Sequence, residues 1–196
     1  MTNPYGDVEL TPRDIRALAH PTRLAILARL QQHGPSTATA LAPEVGATPS
    51  VTSWHLRHLA GHGLVRDAQV ASDGRQRWWE AVGRGFRFTP SEDETGRDAA
   101  VLLSRVVFDQ ARDLPDRWAA EAEPLLEDDW RASAGLSNTR IVVTSEELAE
   151  VEAAIEQVLA PYVLRKSEPD VVPGARSVRM LRYVLPEAAT DEGEPA

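Results

Sequence analysis

The chain has 196 residues, 42% of them hydrophobic and 26% charged, an ordinary globular balance with enough apolar residues for a core in one large domain or two small ones. It contains no cysteine, which excludes disulfides, thiolate metal sites and thiol redox sensing and fits a cytoplasmic setting. The net charge of −9 is uneven: Met1 to Arg87 holds ten arginines against seven carboxylates, a balance of +3, and Phe88 to Ala196 eleven cations against twenty-three carboxylates, a balance of −12. That asymmetry hints at a nucleic-acid-contacting first half and an acidic remainder.

Thr11-Pro12-Arg13-Asp14 reads as a helix start. The threonine can accept from free amides, proline fits the first helical position and aspartate suits the positive end. A second start follows at His20-Pro21, with Leu24, Ile26, Leu27 and Leu30 as its apolar stripe and Gly34-Pro35 as its stop. Ser36 or Thr37 opens a short third helix with Ala40, Leu41 and Val45 facing inward, Pro43 late in it and Gly46 closing it. Thr48-Pro49 begins a fourth helix that runs to about Ala60, stopped by Gly61 and Gly63. Val65 to Val70 reads as a strand, Ala71 to Arg75 as a hairpin turn through Asp73-Gly74, and Gln76 to Val82 as the return strand.

Gly83 to Thr95 is a polar joint. A long helix is expected from Gly96 to Ala122, with a seam of Ala100, Leu103, Val107, Ala111, Leu114 and Trp118 and a kink or a split at Pro115. Ser137 to Val143 is a candidate strand. Thr144-Ser145-Glu146-Glu147 is a capping box that opens a helix bearing Leu148, Val151, Ile155, Val158, Leu159 and Tyr162 on one face. Ser177 to Leu185 alternates as a last strand, and Ala188 to Ala196 is an acidic tail expected to be disordered.

The stretch from Thr37 to Val65 carries the functional signal. A helix-turn-helix needs a short helix, a tight turn and a second helix held so that one face can enter the major groove. Val51, His55, Leu56 and Leu59 read as the inner face of the second helix, and Ser50, Ser53, Trp54, Arg57 and His58 as the outer one. Thr48, Ser50 and Thr52 can bond phosphates or base edges near the helix start. Arg57 can neutralise a phosphate or fork onto a guanine. Arg75 and Arg77, at and beside the hairpin tip, suit a wing that reaches flanking phosphates or the minor groove.

These segments resemble an ArsR-type winged helix-turn-helix regulator. The matching residues are Leu18 to Leu27 (LAHPTRLAIL), Ala40-Leu41-Ala42, Val51 to Leu56 (VTSWHL) and Gly61-His62-Gly63-Leu64-Val65, in the order and spacing of that family. The resemblance covers roughly Thr11 to Val82 and is looser beyond Phe88, where the pattern looks like the C-terminal extension of a subset of these regulators. It implies an α+β chain: an N-terminal winged helix-turn-helix over 11–88, then a helical and small β-containing region over 96–186 for dimerisation and, if there is one, an effector. Residues 1–10 and 187–196 are expected as flexible tails. It implies a homodimer on a near-palindromic stretch of double-stranded DNA, usually repressing, with room for a small-molecule effector.

Metal sensing, common in such regulators, is not supported. All five histidines (His20, His33, His55, His58 and His62) lie in the first 62 residues, and the His58/His62 pair has no acidic or sulfur ligand nearby to complete it. Neither a cofactor nor an enzymatic activity is expected: there is no GxSxG, no phosphate-cradling glycine loop, no HExxH and no cysteine nucleophile. No membrane is expected as a partner, because no window reaches the ~18 to 20 uncharged apolar residues of a span. Met1 to Leu10, with Asp7 and Glu9, does not read as a secretory signal. The competing reading is a winged-helix adaptor that binds protein without reading DNA.

Overall fold

Most long helices in this chain start at a local cap, and the computed structural model, which describes residues 5–70, 76–88, 93–165 and 172–187, puts those starts where the caps lie. After a two-residue strand β1 (Val8–Glu9), helix α1 spans Pro12–Leu18. It opens with a capping box: the Asp14 amide donates to the Thr11 hydroxyl, and the Thr11 amide donates to the Asp14 carboxylate at 3.1 Å. Helix α2 (Pro21–His33) is capped by a histidine, His20, whose Nδ1 accepts from the Thr22 amide at 3.2 Å. Strand β2 (Ser36–Thr37) leads directly into α3 (Ala38–Glu44), capped by Thr37. Gly46 takes φ +63°, the left-handed turn that separates α3 from α4 (Pro49–Gly61).

Strands β3 (Val65–Asp67) and β4 (Trp78–Ala81) form an antiparallel pair, with β2 added on the far side of β4. The paired segments are shorter than the alternating pattern implies, and the expected turn at 71–75, with Arg75, lies outside the described residues. Strand β5 (Phe86–Arg87) then pairs with β1 in parallel. Gly83 is required by that approach, since a Cβ there would lie 2.6 Å from a methyl of Val8. Residues 8–10 are therefore not part of a flexible tail: Leu10 is buried and donates to the Arg87 carbonyl at 2.8 Å.

One core joins these elements. Ile15 and Leu18 of α1, Leu24, Ile26, Leu27 and Leu30 of α2, Leu41 of α3, Leu56 and Leu59 of α4, and Leu64, Val65 and Trp79 of the sheet are all buried. Trp79 is the core member of the Trp78-Trp79 pair. On α3 the buried residues are Leu41 and Ala42, whereas Ala40, expected inward, is exposed.

The expected long helix is split near Pro115 rather than kinked there. Helix α5 (Glu94–Ala111) inserts Ala99, Ala100 and Leu103 into the same core, and α6 (Leu114–Glu121) follows with Pro115 in its first turn. Proline has no amide to donate, so it is better placed starting a helix than kinking one. The front of the predicted seam thus packs within its own chain against α1 and α2.

A 3₁₀ turn (Glu123–Leu125) and α7 (Asp128–Arg131) lead to α8 (Ser145–Arg165), whose capping box forms between Thr144 and Glu147. Helix α8 is tied to the winged unit through Arg84, which donates to the Val163 carbonyl at 2.7 Å. It is tied again through Arg87, which bridges Asp7 (2.8 Å) and Glu156. The segments 137–143 and 177–185, expected as strands, are not strands, and the described part of the C-terminal region is helical with no sheet. Alternating apolar residues favour a strand only where a neighbouring strand accepts the hydrogen bonds, and neither segment finds one. Their side chains stay in the open, Val142 at 99% exposure. The acidic tail at 188–196 lies outside the described residues.

Candidate nucleic-acid interface

Helix α4 lies with Thr52, His55, Leu56 and Leu59 on the core. This corrects two expectations. Thr52, read as a DNA-contacting residue, is fully buried with its hydroxyl enclosed and unpartnered, so it cannot reach a base or a phosphate. Val51, read as an inner residue, is exposed. The free face is Ser50, Trp54 (52% exposed) and Arg57, with Thr48 exposed at the helix start. The Thr48 hydroxyl accepts from the Val51 amide at 3.4 Å as the cap and keeps its own proton to donate.

The two flanks of this face differ. Toward α3 and the wing, Ser53 and Arg57 line an open cleft of about 260 Å³ together with Thr37, Thr39, Gln76 and Arg77. Arg57 donates to the Ser53 hydroxyl at 2.8 Å, which fixes its guanidinium along the cleft wall. Arg77 lies over the Trp79 ring, 4.0 Å from its centre, and donates to Asp67 across the hairpin at 2.9 Å. That hydrogen bond holds the Asp67 carboxyl below its ordinary value and raises the Arg77 guanidinium. Arg66 is likewise paired with Glu80 at 2.6 Å. Both cations in the described part of the hairpin therefore carry a carboxylate partner, so the wing is less basic than a count of arginines suggests.

Toward α1 and α2 the flank is a ladder of rings. His20 and His55 lie 4.9 Å apart, Trp54 and His55 4.9 Å, Trp54 and His58 5.6 Å in a stack tilted by 21°, and His58 and His62 5.0 Å. Burial depresses His20, His55 and His58 below the ordinary histidine value, and the Arg23 guanidinium adds to it in each. At the ladder's end the His62 Nδ1–H donates to Asp14 at 2.8 Å. Among the described residues no group of three histidine or acidic side chains is arranged to hold a metal ion, and no helix is long and apolar enough to cross a membrane.

The structure thus gathers Ser53, Arg57 and Arg77 around one cleft, sets Thr48, Ser50 and Trp54 on the free face and His58 at its rim, and removes Thr52. Thr39 and Gln76 were missed because they reach the cleft only through the fold. Asp67 was legible in principle, since hairpin register sets it opposite Trp79, beside Arg77.

A short helix, a left-handed turn and a second helix with one free face make up the stretch that a family model described as a helix-turn-helix domain matches, residues 18–68. The chain carries a helix-turn-helix domain. With the hairpin behind it, this domain has the winged form, and it runs from the end of α1 through β3. A MarR family regulator from Neisseria meningitidis is similar at 18% identity, over 74% of this chain and 80% of that one, with a TM-score of 0.31. No curated protein matches the chain.

Proposed function

We propose that this protein is a sequence-specific, DNA-binding transcriptional regulator of the ArsR type, a repressor acting in the cytoplasm as a homodimer on a near-palindromic operator. One observation carries the reading: α4 presents Ser50, Trp54 and Arg57 free of the core, beside a cleft walled by Arg57 and Arg77. Such a helix can seat in a major groove, its hydroxyls and arginine reaching phosphates and base edges while the cleft takes a flanking phosphate. Thr48, Ser50, Ser53, Trp54, Arg57, His58 and Arg77 are the residues assigned to DNA. Arg75, outside the described residues, is assigned to the wing tip from its sequence position.

The homodimer is supported by the apolar residues left in the open after α5. Leu125, Leu136, Val142, Val178, Met180 and Leu185 are all more than half exposed, apolar side chains that a second copy of the chain could cover. The C-terminal region, 96–186, would supply the dimer contacts and any effector site. The adaptor reading fits less well, because hydroxyls and guanidinium groups on the free face suit phosphates better than an apolar protein partner.

The test is fluorescence anisotropy with a duplex from upstream of the protein's own gene, against a scrambled duplex, over a series of salt concentrations. The reading expects preference for the native duplex or for a site selected from genomic fragments, by ~10³-fold or more, with a steep salt slope. Failure to bind any duplex at low salt would favour the adaptor.

A further inference from the structure

Four of the five histidines form the ring ladder along one flank of α4, and helix packing alone does not require them. Their surroundings rank them as proton acceptors. His20 uses Nδ1 to accept the Thr22 amide and cap α2, so charging that nitrogen would break the cap. His55 is 5% exposed with its Nδ1 enclosed and unpartnered, and a charge there would be buried beside His20 and Arg23. His62 already donates to Asp14. His58 alone combines a rim position, a ring stacked on the exposed Trp54, and no hydrogen bond that a proton would break.

Resting on the DNA-binding reading above, we propose that His58 takes up a proton when duplex DNA docks on α4, so that affinity for DNA rises as the pH falls through the histidine range. The groups facing it are Arg23 from α2, His55 and His62 from its own helix, and Asp14 of α1 behind His62. In the free protein Arg23 and partial burial oppose a charge on the ring. Docked DNA reverses that balance, because a duplex brings one negative charge per ~1.7 Å of its axis and the face of Trp54 stabilises an adjacent cation. The charge is therefore favoured more in the complex than in the free protein, which is the condition for linkage between proton and DNA.

A generic labelled duplex at low salt is the probe, since phosphates rather than bases drive the uptake. Affinity is measured from pH 8 to pH 6 at constant ionic strength for the wild type and His58→Gln. The wild type should tighten by about five- to tenfold per pH unit near the midpoint, as uptake of most of one proton requires. Whatever its affinity at pH 8, His58→Gln should change little between pH 8 and pH 6, because the slope rather than the absolute affinity reports the proton. Calorimetry of the wild type in buffers of different ionisation enthalpy gives the uptake directly and needs no variant. Uptake near zero, or equal slopes in the two proteins, overturns the proposal while leaving DNA binding intact. Absence of binding at every pH overturns both readings.

Discussion

His62, the residue that caps the end of α4, donates from Nδ1 to the carboxylate of Asp14 in the first helix at 2.8 Å. The same carboxylate accepts the Thr11 amide and so completes the cap of α1. One side chain thus starts one helix and fixes the end of another 48 residues later. Asp14→Ala should cost about 1–2 kcal/mol, the usual worth of a cap together with a partly buried polar contact. Urea unfolding followed by circular dichroism measures it, and a midpoint unchanged from the wild type would show the contact to be idle.

Stability should fall as the solution is acidified. Burial lowers His20, His55 and His58 in the folded chain, so below the ordinary histidine value near 6.5 the unfolded chain binds more protons than the folded one. Their contribution is complete above that value and is lost as the pH falls through it. Asp14 adds a second, lower step. Burial raises its carboxyl, but the hydrogen bonds from Thr11 and His62 outweigh it and hold the group below the ordinary 3.8, so its contribution disappears only as the pH falls past that value. Urea midpoints at pH 7.5, 6.0 and 5.0 should decrease in that order; a flat or rising series contradicts the ladder's burial.

Arg57→Ala should weaken DNA binding by roughly tenfold or more and reduce the salt slope by about 1, with the fold retained, because the side chain is exposed and its hydrogen bond to Ser53 is local. Unchanged affinity in a folded variant would remove Arg57 from the interface.

Asp67→Asn tests the paired wing. With the carboxylate gone, Arg77 loses its ionic partner and keeps its place over Trp79. DNA binding should tighten several-fold for any duplex, and the salt slope should steepen. Weaker binding would mean that Asp67 aims Arg77 rather than competing with the phosphate.

A chain ending at Val82 should fail to fold cooperatively. It lacks β5, which pairs with β1, and the Ala99 and Leu103 side chains that close the core. Loss of a buried leucine alone typically costs ~2–5 kcal/mol. A chain ending at Ala111 keeps all of these and should melt as one unit by calorimetry. A sharp transition in the shorter chain would show that α5 is dispensable.

Five helix starts were legible because caps are local chemistry: Thr11, His20, Thr37, Thr48 and Thr144 each announce a helix to the residues just after them, whereas the Asp93 cap of α5 and the uncapped starts of α6 and α7 were not read. The inner face of α4 was half legible. Hydrophobicity alone chooses Val51, yet the intervals from Thr52 to His55, Leu56 and Leu59 are those of a single helix face, and geometry prevailed over polarity. Ala40 went astray likewise, since Leu41 and Ala42 already occupy the inner stripe of so short a helix. The ladder could not be read, because His20 and Asp14 meet α4 only after the chain has turned. The extended stretches 137–143 and 177–185 show what a pattern leaves out: alternation gives a strand its faces and does not supply its neighbour.

Arg84 and Arg87 flank the base of the hairpin, and each is gripped by the last long helix, one by the Val163 carbonyl and the other by Glu156. The two halves of the molecule are consequently joined by side chains as well as by the chain between them. The root of the hairpin and the second half of α8 therefore share hydrogen bonds, so a change in one alters the contacts of the other.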